Sequence, residues 1–126
     1  MDRTIAAGNI HLKRAYEDRS AADGIRVLVD RLWPRGIRKV DAAIDHWFKD
    51  LSPSTELRKW FGHDPSRWEE FQRRFAKELS GHSDQLDRLR DMARSGTVTL
   101  VYSAHDEEHN DAVVLRDVLL DGDRSA

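Results

Sequence analysis

The stretch Gly24-Ile25-Arg26-Val27-Leu28-Val29-Asp30-Arg31-Leu32-Trp33-Pro34-Arg35-Gly36 constrains this chain more than any other. Ile25, Val27, Leu28 and Val29 make an apolar run without polar alternation, the pattern of a strand covered on both faces. Pro34 and Gly36 then stop it. In open α/β sheets ligands bind just beyond the carboxyl ends of the strands. The acid, the arginines and the tryptophan that follow Val29 therefore mark where a site is expected. No residue pattern names a reaction or a cofactor.

The rest of the chain supplies partners for that strand. Ile10, Leu12, Arg14 and Tyr16 alternate with His11, Lys13 and Ala15, the period of a short strand. The polar link to Ile25 is short for a helical crossover, so the relative direction of these two strands is open. After Gly36 the pattern turns helical. Asp41 is a candidate N-cap, and Val40, Ile44, Trp47, Phe48 and Leu51 fall on one helical face. Ser52-Pro53 starts a helix carrying Leu57, Trp60 and Phe61 that Gly62 ends. Asp64-Pro65 starts another with Trp68, Phe71, Phe75 and Leu79, closed by Gly81. Ser83 opens a third, with Leu86, Leu89, Met92 and Ala93 inside and Gly96 at its end. Thr97–Ala104 is β-branched and aromatic, hence a strand. Ala112, Val114, Leu115, Val118 and Leu119 give the last helix its buried side.

Two apolar strands separated by several helices suit parallel pairing through a right-handed crossover. The expectation is a single small α/β domain with a short, mostly parallel sheet packed by about five helices. Residues 1–8 read as a flexible N-terminus, 9–120 as the domain and 121–126 as a polar tail.

Composition excludes several classes. A length of 126 residues fits one core. A net charge of −2 argues against coating nucleic acid as the main task, although a local basic patch leaves nucleic acid open as a partner. No apolar run approaches the length of a membrane span, and the first residues lack the centre of a secretion signal. Without cysteine there are no disulfides, thiolate metal sites or cysteine nucleophile, and a cytoplasmic address is the default. The sequence assigns no oligomeric state.

Parallel strands place Asp30, Arg31 and Arg35 opposite Ser103, His105, Asp106 and Asn110, where the last helix begins. Arginine forks and a helix N-terminus favour an anion, so the expected ligand is small and bears phosphate or carboxylate. In this reading Arg31 and Arg35 hold the anion, and Ser103 and Asn110 supply hydrogen bonds. Asp30 and His105 are the candidate acid–base pair, if a reaction occurs. The bland alternative is a structural tie between Asp30 and an arginine. Trp33 either stacks on a ring of the ligand or covers the edge of the core. A rival reading is a non-catalytic regulatory or nucleic-acid-associated module that uses Trp33 and the arginines as a surface. A further one puts a metal on His105 and His109, but no third ligand has suitable spacing. Acids at 106–108 are also what a helix start favours.

Three blocks carry a resemblance to a known family: Arg26–Gly36, Ser52–Lys59, and Leu100–Ala104 with Asn110, Ala112, Val114 and Leu115. They resemble the YeaO-like branch of a bacterial family known only as domain of unknown function 488. The likeness runs from about Ile10 to Leu120. It implies a compact α/β domain with the motif residues at one sheet edge, and no established activity. The wider family often carries cysteines near the end of the last strand, which this chain lacks. YeaO-like sequences usually have lysine at the place of His105. The resemblance therefore implies a basic side chain near Asp30, a part His105 plays only when protonated.

Overall fold

The computed structural model describes residues 5–125. Four strands, β1 (Ile10–Arg14), β2 (Ile25–Leu28), β3 (His46–Trp47) and β4 (Val98–Tyr102), form one sheet in the order β1-β4-β2-β3. Every neighbouring pair is parallel. The helices are α1 (Lys39–Ala42), α2 (Thr55–Phe61), α3 (Trp68–Leu79), α4 (Ser83–Ser95) and α5 (Asp111–Ser125). The fold is the small α/β domain expected, with a wholly parallel sheet.

The direction left open at β1 and β2 is resolved by β4, which lies between them. Ile10 and Ile25 both stand opposite Val98, so the three strands run the same way. The link from β1 to β2 passes β4 without an α-helix; one 3-10 turn, Ala21–Asp23, suffices. Ser20 caps that turn, and the Asp23 carboxylate reaches back to the Ser20 amide at 2.9 Å. Gly24 follows at φ 62° and ψ −132°, a region essentially reserved for glycine. A Cβ there would collide with the Thr97 carbonyl, so the tight return into β2 also needs a residue without a side chain.

Successive residues of a strand face opposite ways, and β4 divides two cores. Val98, Leu100 and Tyr102 join the main core, where Phe75, Leu79, Leu89, Leu115 and Leu119 are almost fully buried beneath helices α3, α4 and α5. Val101 joins Ala15 and Leu28 on the other face, with Trp33, Ile37, Ile44 and Trp47 packed over them. That second face also buries charge. Arg26 Nη1 meets Asp23 Oδ2 at 2.6 Å, and Lys13 Nζ meets Asp23 Oδ1 at 3.1 Å. Burial alone would raise the Asp23 pKa, but the Ser20 amide, Lys13 and Arg26 together bring it below the ordinary value. Arg26 Nε donates to the Ala42 carbonyl, and Thr99 Oγ1 donates to the Asp23 carbonyl. The run that reads as apolar thus contains one buried arginine whose partners are all supplied.

The long helix expected over residues 40–51 does not form. Only Lys39–Ala42 is helical, and Ala43 turns left-handed at φ 50°. Asp41 lies inside this turn, paired with Arg38, and does not cap it. The chain then adds to the free edge of β2. Asp45 N donates to Arg26 O at 2.8 Å and Phe48 N to Leu28 O at 3.0 Å. Trp47 and Phe48 consequently go to different cores, as neighbours on a strand do and neighbours on one helical face do not. Val40, expected on the buried face, is 74% exposed. Sheet pairing overrode the helical spacing here. The next helix also starts slightly later than expected, with Ser54 as its N-cap and Pro53 just outside.

Of the ends, residues 1–4 and 126 lie outside the described residues. Ile5 is buried in the main core, and a 3-10 turn occupies Ala7–Asn9. Helix α5 continues to Ser125, through most of the stretch read as a polar tail. Among the described residues no helix is long and apolar enough to cross a membrane.

Candidate functional site

The carboxyl ends of β1, β4 and β2 lie side by side: Ala15 N donates to Tyr102 O, and Val29 N to Val101 O. Just beyond them opens a hollow of about 1130 Å³. Asp30, Arg31, Trp33, Arg35, Ser103, His105, Asp106 and Asn110 all line it, as does His109.

Its floor is built on Asp30 and Asp111. Asp30 Oδ2 accepts from the Ser103 amide at 2.9 Å and from the Ser103 hydroxyl at 2.6 Å. The Asp30 carbonyl accepts from Trp47 Nε1 at 2.7 Å, so β3 also fixes this turn. Asp111, the first residue of α5, hydrogen-bonds to the Asp30 carboxylate. Burial first, then the charge of Asp30 and that hydrogen bond, push the Asp111 carboxyl well above the ordinary value. Asp111 therefore keeps its proton beyond the pH at which an ordinary aspartate loses it, and offers it to Asp30.

The loop 105–110 is held by its own acids and amides. Asp106 accepts from the amides of Glu108 and His109 and from His109 Nδ1, the last at 2.9 Å. The Glu108 amide is the main cause of its lowered pKa, followed by the His109 ring. Asn110 caps α5 by accepting from Val113 N at 3.1 Å, and donates to the Asp106 carbonyl. His109 packs edge-on to Trp68, with ring centroids 5.1 Å apart. The aspartate–imidazole couple in this hollow is thus Asp106–His109, not the expected Asp30–His105. Asp30 is engaged by Ser103 and Asp111, while His105 Nδ1 lies 3.3 Å from Arg14 Nη2. Among the described residues no group of three or more metal-ligating side chains forms, and His105 and His109 have separate partners.

The walls are cationic. Arg14, Arg31 and Arg35 come from the strand ends and the loop after β2, and Arg58 and Lys59 from α2. Arg14 Nε donates to the Ala104 carbonyl at 2.9 Å. Arg31 spans the Pro53 carbonyl with two long contacts of 3.3 and 3.4 Å. Among the described residues none of these five cations makes an ion pair. Elsewhere arginines do pair along the helices, as Arg73 and Arg74 do with Glu70 and Arg90 does with Asp87. Trp33 is tied down by Nε1 to the Ile37 carbonyl at 2.6 Å and by an edge contact with Trp47, which is the core-covering role.

Four lining residues of the Arg, Lys and Asp types escape the sequence reading: Arg14, Arg58, Lys59 and Asp111. Arg14 would have followed from the strand-end rule had the direction of β1 been known. Asp111 sits in the first turn of the last helix, where an acid already has a reason to be. Arg58 and Lys59 close a sequence block that stands out, but nothing in their spacing says that α2 leans over the sheet edge.

Residues 9–124 match the family described as "Inactive DUF488-N3 subclade". The chain is 46% identical over 111 residues to the uncharacterised protein YeaO of Escherichia coli K12, covering 88% of this chain and 96% of that one. It is 43% identical over 110 residues to the uncharacterised protein Rv3073c of Mycobacterium tuberculosis H37Rv, covering 87% and 92% respectively. The uncharacterised protein Mb3100c of Mycobacterium bovis is similar to the same extent. No solved structure matches significantly. With nearly its whole length matched and relatives this similar, the chain belongs to the YeaO-like, DUF488-N3i subclade of the DUF488 family.

Proposed function

We propose that the hollow at the carboxyl edge of the sheet binds a small anionic ligand, bearing phosphate or carboxylate, without turning it over. The observation that carries this reading is the set of unpaired cations: Arg14, Arg31, Arg35, Arg58 and Lys59 line one concavity, and among the described residues none is neutralised by a carboxylate. A guanidinium matches a carboxylate or phosphate with two parallel hydrogen bonds, which a lone carbonyl partner does not exhaust. The place agrees with the general rule for parallel sheets. The volume of about 1130 Å³ is ample for a small metabolite. Binding without turnover is supported by the family's description as inactive and by the separate engagement of Asp30 and His105.

The test is a thermal-shift screen of the full chain against phosphate esters, nucleotides and organic acids, repeated on Arg31→Ala and Arg58→Ala. A stabilising hit lost in both variants supports the reading. Hits that persist unchanged in both would move the site elsewhere. Steeply salt-dependent binding to DNA or RNA, with no small-molecule hit, would replace it with the nucleic-acid module.

A further inference from the structure

The hollow has two chemically different halves, and they do not neutralise one another. The guanidinium groups of Arg14 and Arg31 are turned to the carbonyls of Ala104 and Pro53, not to Asp30 or Asp111. The floor is held by neutral donors instead: the Ser103 amide and hydroxyl on Asp30, and the carboxyl of Asp111. A hydrogen bond between the Asp30 and Asp111 carboxyls takes one shared proton and leaves one negative charge on the pair. Asp106 beside it is partnered by His109, but nothing cationic in the chain is paired with Asp30 or Asp111 among the described residues. A ligand carrying only negative charge would satisfy the wall and be repelled by the floor. A ligand carrying only positive charge would meet the reverse. Specificity of this kind comes as much from the repulsive half as from the attractive one.

We infer that the ligand is a zwitterion, whose anionic group lies against the arginines of the wall and whose ammonium group lies against Asp30, Asp111 and Ser103. The inference rests on the anion-binding reading and narrows it to amino-phosphates or amino acids. An ammonium has three donors and no acceptor. The floor offers it the oxygens of Asp30 and Asp111 and the lone pairs of Ser103 Oγ. A hydroxyl at the same place would hydrogen-bond but leave the charge of Asp30 unmatched. Arg31 needs only to exchange its carbonyl partner, and Arg14 a carbonyl or the His105 ring, for the ligand's anion, which is a charge-assisted bond of the stronger kind.

The experiment is calorimetric titration of the full chain near neutral pH with two matched sets of compounds. One is phosphoethanolamine, hydroxyethyl phosphate and propyl phosphate; the other is β-alanine, 3-hydroxypropanoate and butanoate. Within each set only the ammonium is exchanged for a hydroxyl or a methyl. The expected result is that the ammonium compound of at least one set binds about tenfold more tightly than its two analogues. In the Asp30→Asn/Asp111→Asn double variant that advantage should vanish while the affinity for the methyl analogue is retained or raised, since the repulsive charge of the floor is gone. Because the comparison on the unaltered chain needs no variant, a folding failure of the double variant does not remove the test. Equal affinity within both sets, or a preference for the hydroxyl compound, would overturn the zwitterion and leave the anion reading standing. Failure of all six compounds to bind would overturn both.

Discussion

Asp30 and Ser103 are 73 residues apart in the chain and are joined twice, amide and hydroxyl of one serine donating to one carboxylate oxygen. This contact stitches the end of β2 to the end of β4. Ser103→Ala deletes the 2.6 Å hydroxyl bond and keeps the amide bond. Hydrogen bonds to a charged group contribute about 1.5–3 kcal/mol, so a loss of that order is expected in urea unfolding. The midpoint should fall with an unchanged slope, since the fold stays intact.

Asp111 makes stability depend on pH in a defined direction. Its folded-state pKa lies well above 3.8, through burial, then the Asp30 charge, then the Asp30 hydrogen bond; the amides of Ala112 and Asp111 act the other way. The native state therefore binds this proton more tightly than the unfolded chain does. The stability it contributes is complete below the unfolded value and is lost as pH rises through the folded one. Asp111→Asn cannot lose a proton. Its stability relative to the unaltered chain should increase from about pH 4 upward, measured by denaturant titration at several pH values. Glu70, lowered to about 2 by Arg73 and Arg74, loses its contribution as pH falls, but it does so in both proteins and cancels in the difference.

The buried charge under the second core gives a contrast between two arginines. Arg26→Met leaves Asp23, whose side chain is 8% exposed, with Lys13 as its remaining ionic partner. Breaking a buried pair from one side costs about 3 kcal/mol. Arg73→Met removes an exposed pair on α3 and should scarcely move the melting temperature. Thermal unfolding of the two variants side by side checks this.

Gly24→Ala combines a left-handed backbone with a collision against the Thr97 carbonyl, and should cost about 2–4 kcal/mol. Gly81→Ala, where a Cβ meets nothing within 4 Å, serves as the control and should be neutral or slightly stabilising. Equal effects at the two positions in chemical denaturation would contradict the tight β2 entry described above.

Much of this was legible in the residues, and the exceptions have physical causes. Ile25, Val27 and Val98 to Tyr102 announce buried strands by composition, and the strand-end rule then places Asp30, Ser103 and Asn110 together. Asp64 and Gly62 mark helix ends because capping is local chemistry. The segment 40–51 misleads because pairing with the edge of β2 is not local. Its apolar residues serve two cores at once, and their spacing mimics one helical face. Arg26 hides in an apolar run because its partners, Asp23 and Ala42, are brought to it only by the turn and the loop. The expected Asp30–His105 couple fails for a similar reason: Asp111 and Arg14 reach those groups first.

The position of β4 has a consequence for how the molecule comes into being. The strand that touches both β1 and β2 is the last to be synthesised, and the two earlier strands share no ladder of their own. Until Tyr102 has left the ribosome, the nascent chain carries two hydrophobic strands with a vacant slot between them. Such long-range closure slows folding and exposes aggregation-prone edges, so co-translational collapse of this sheet must wait until β4 has been made.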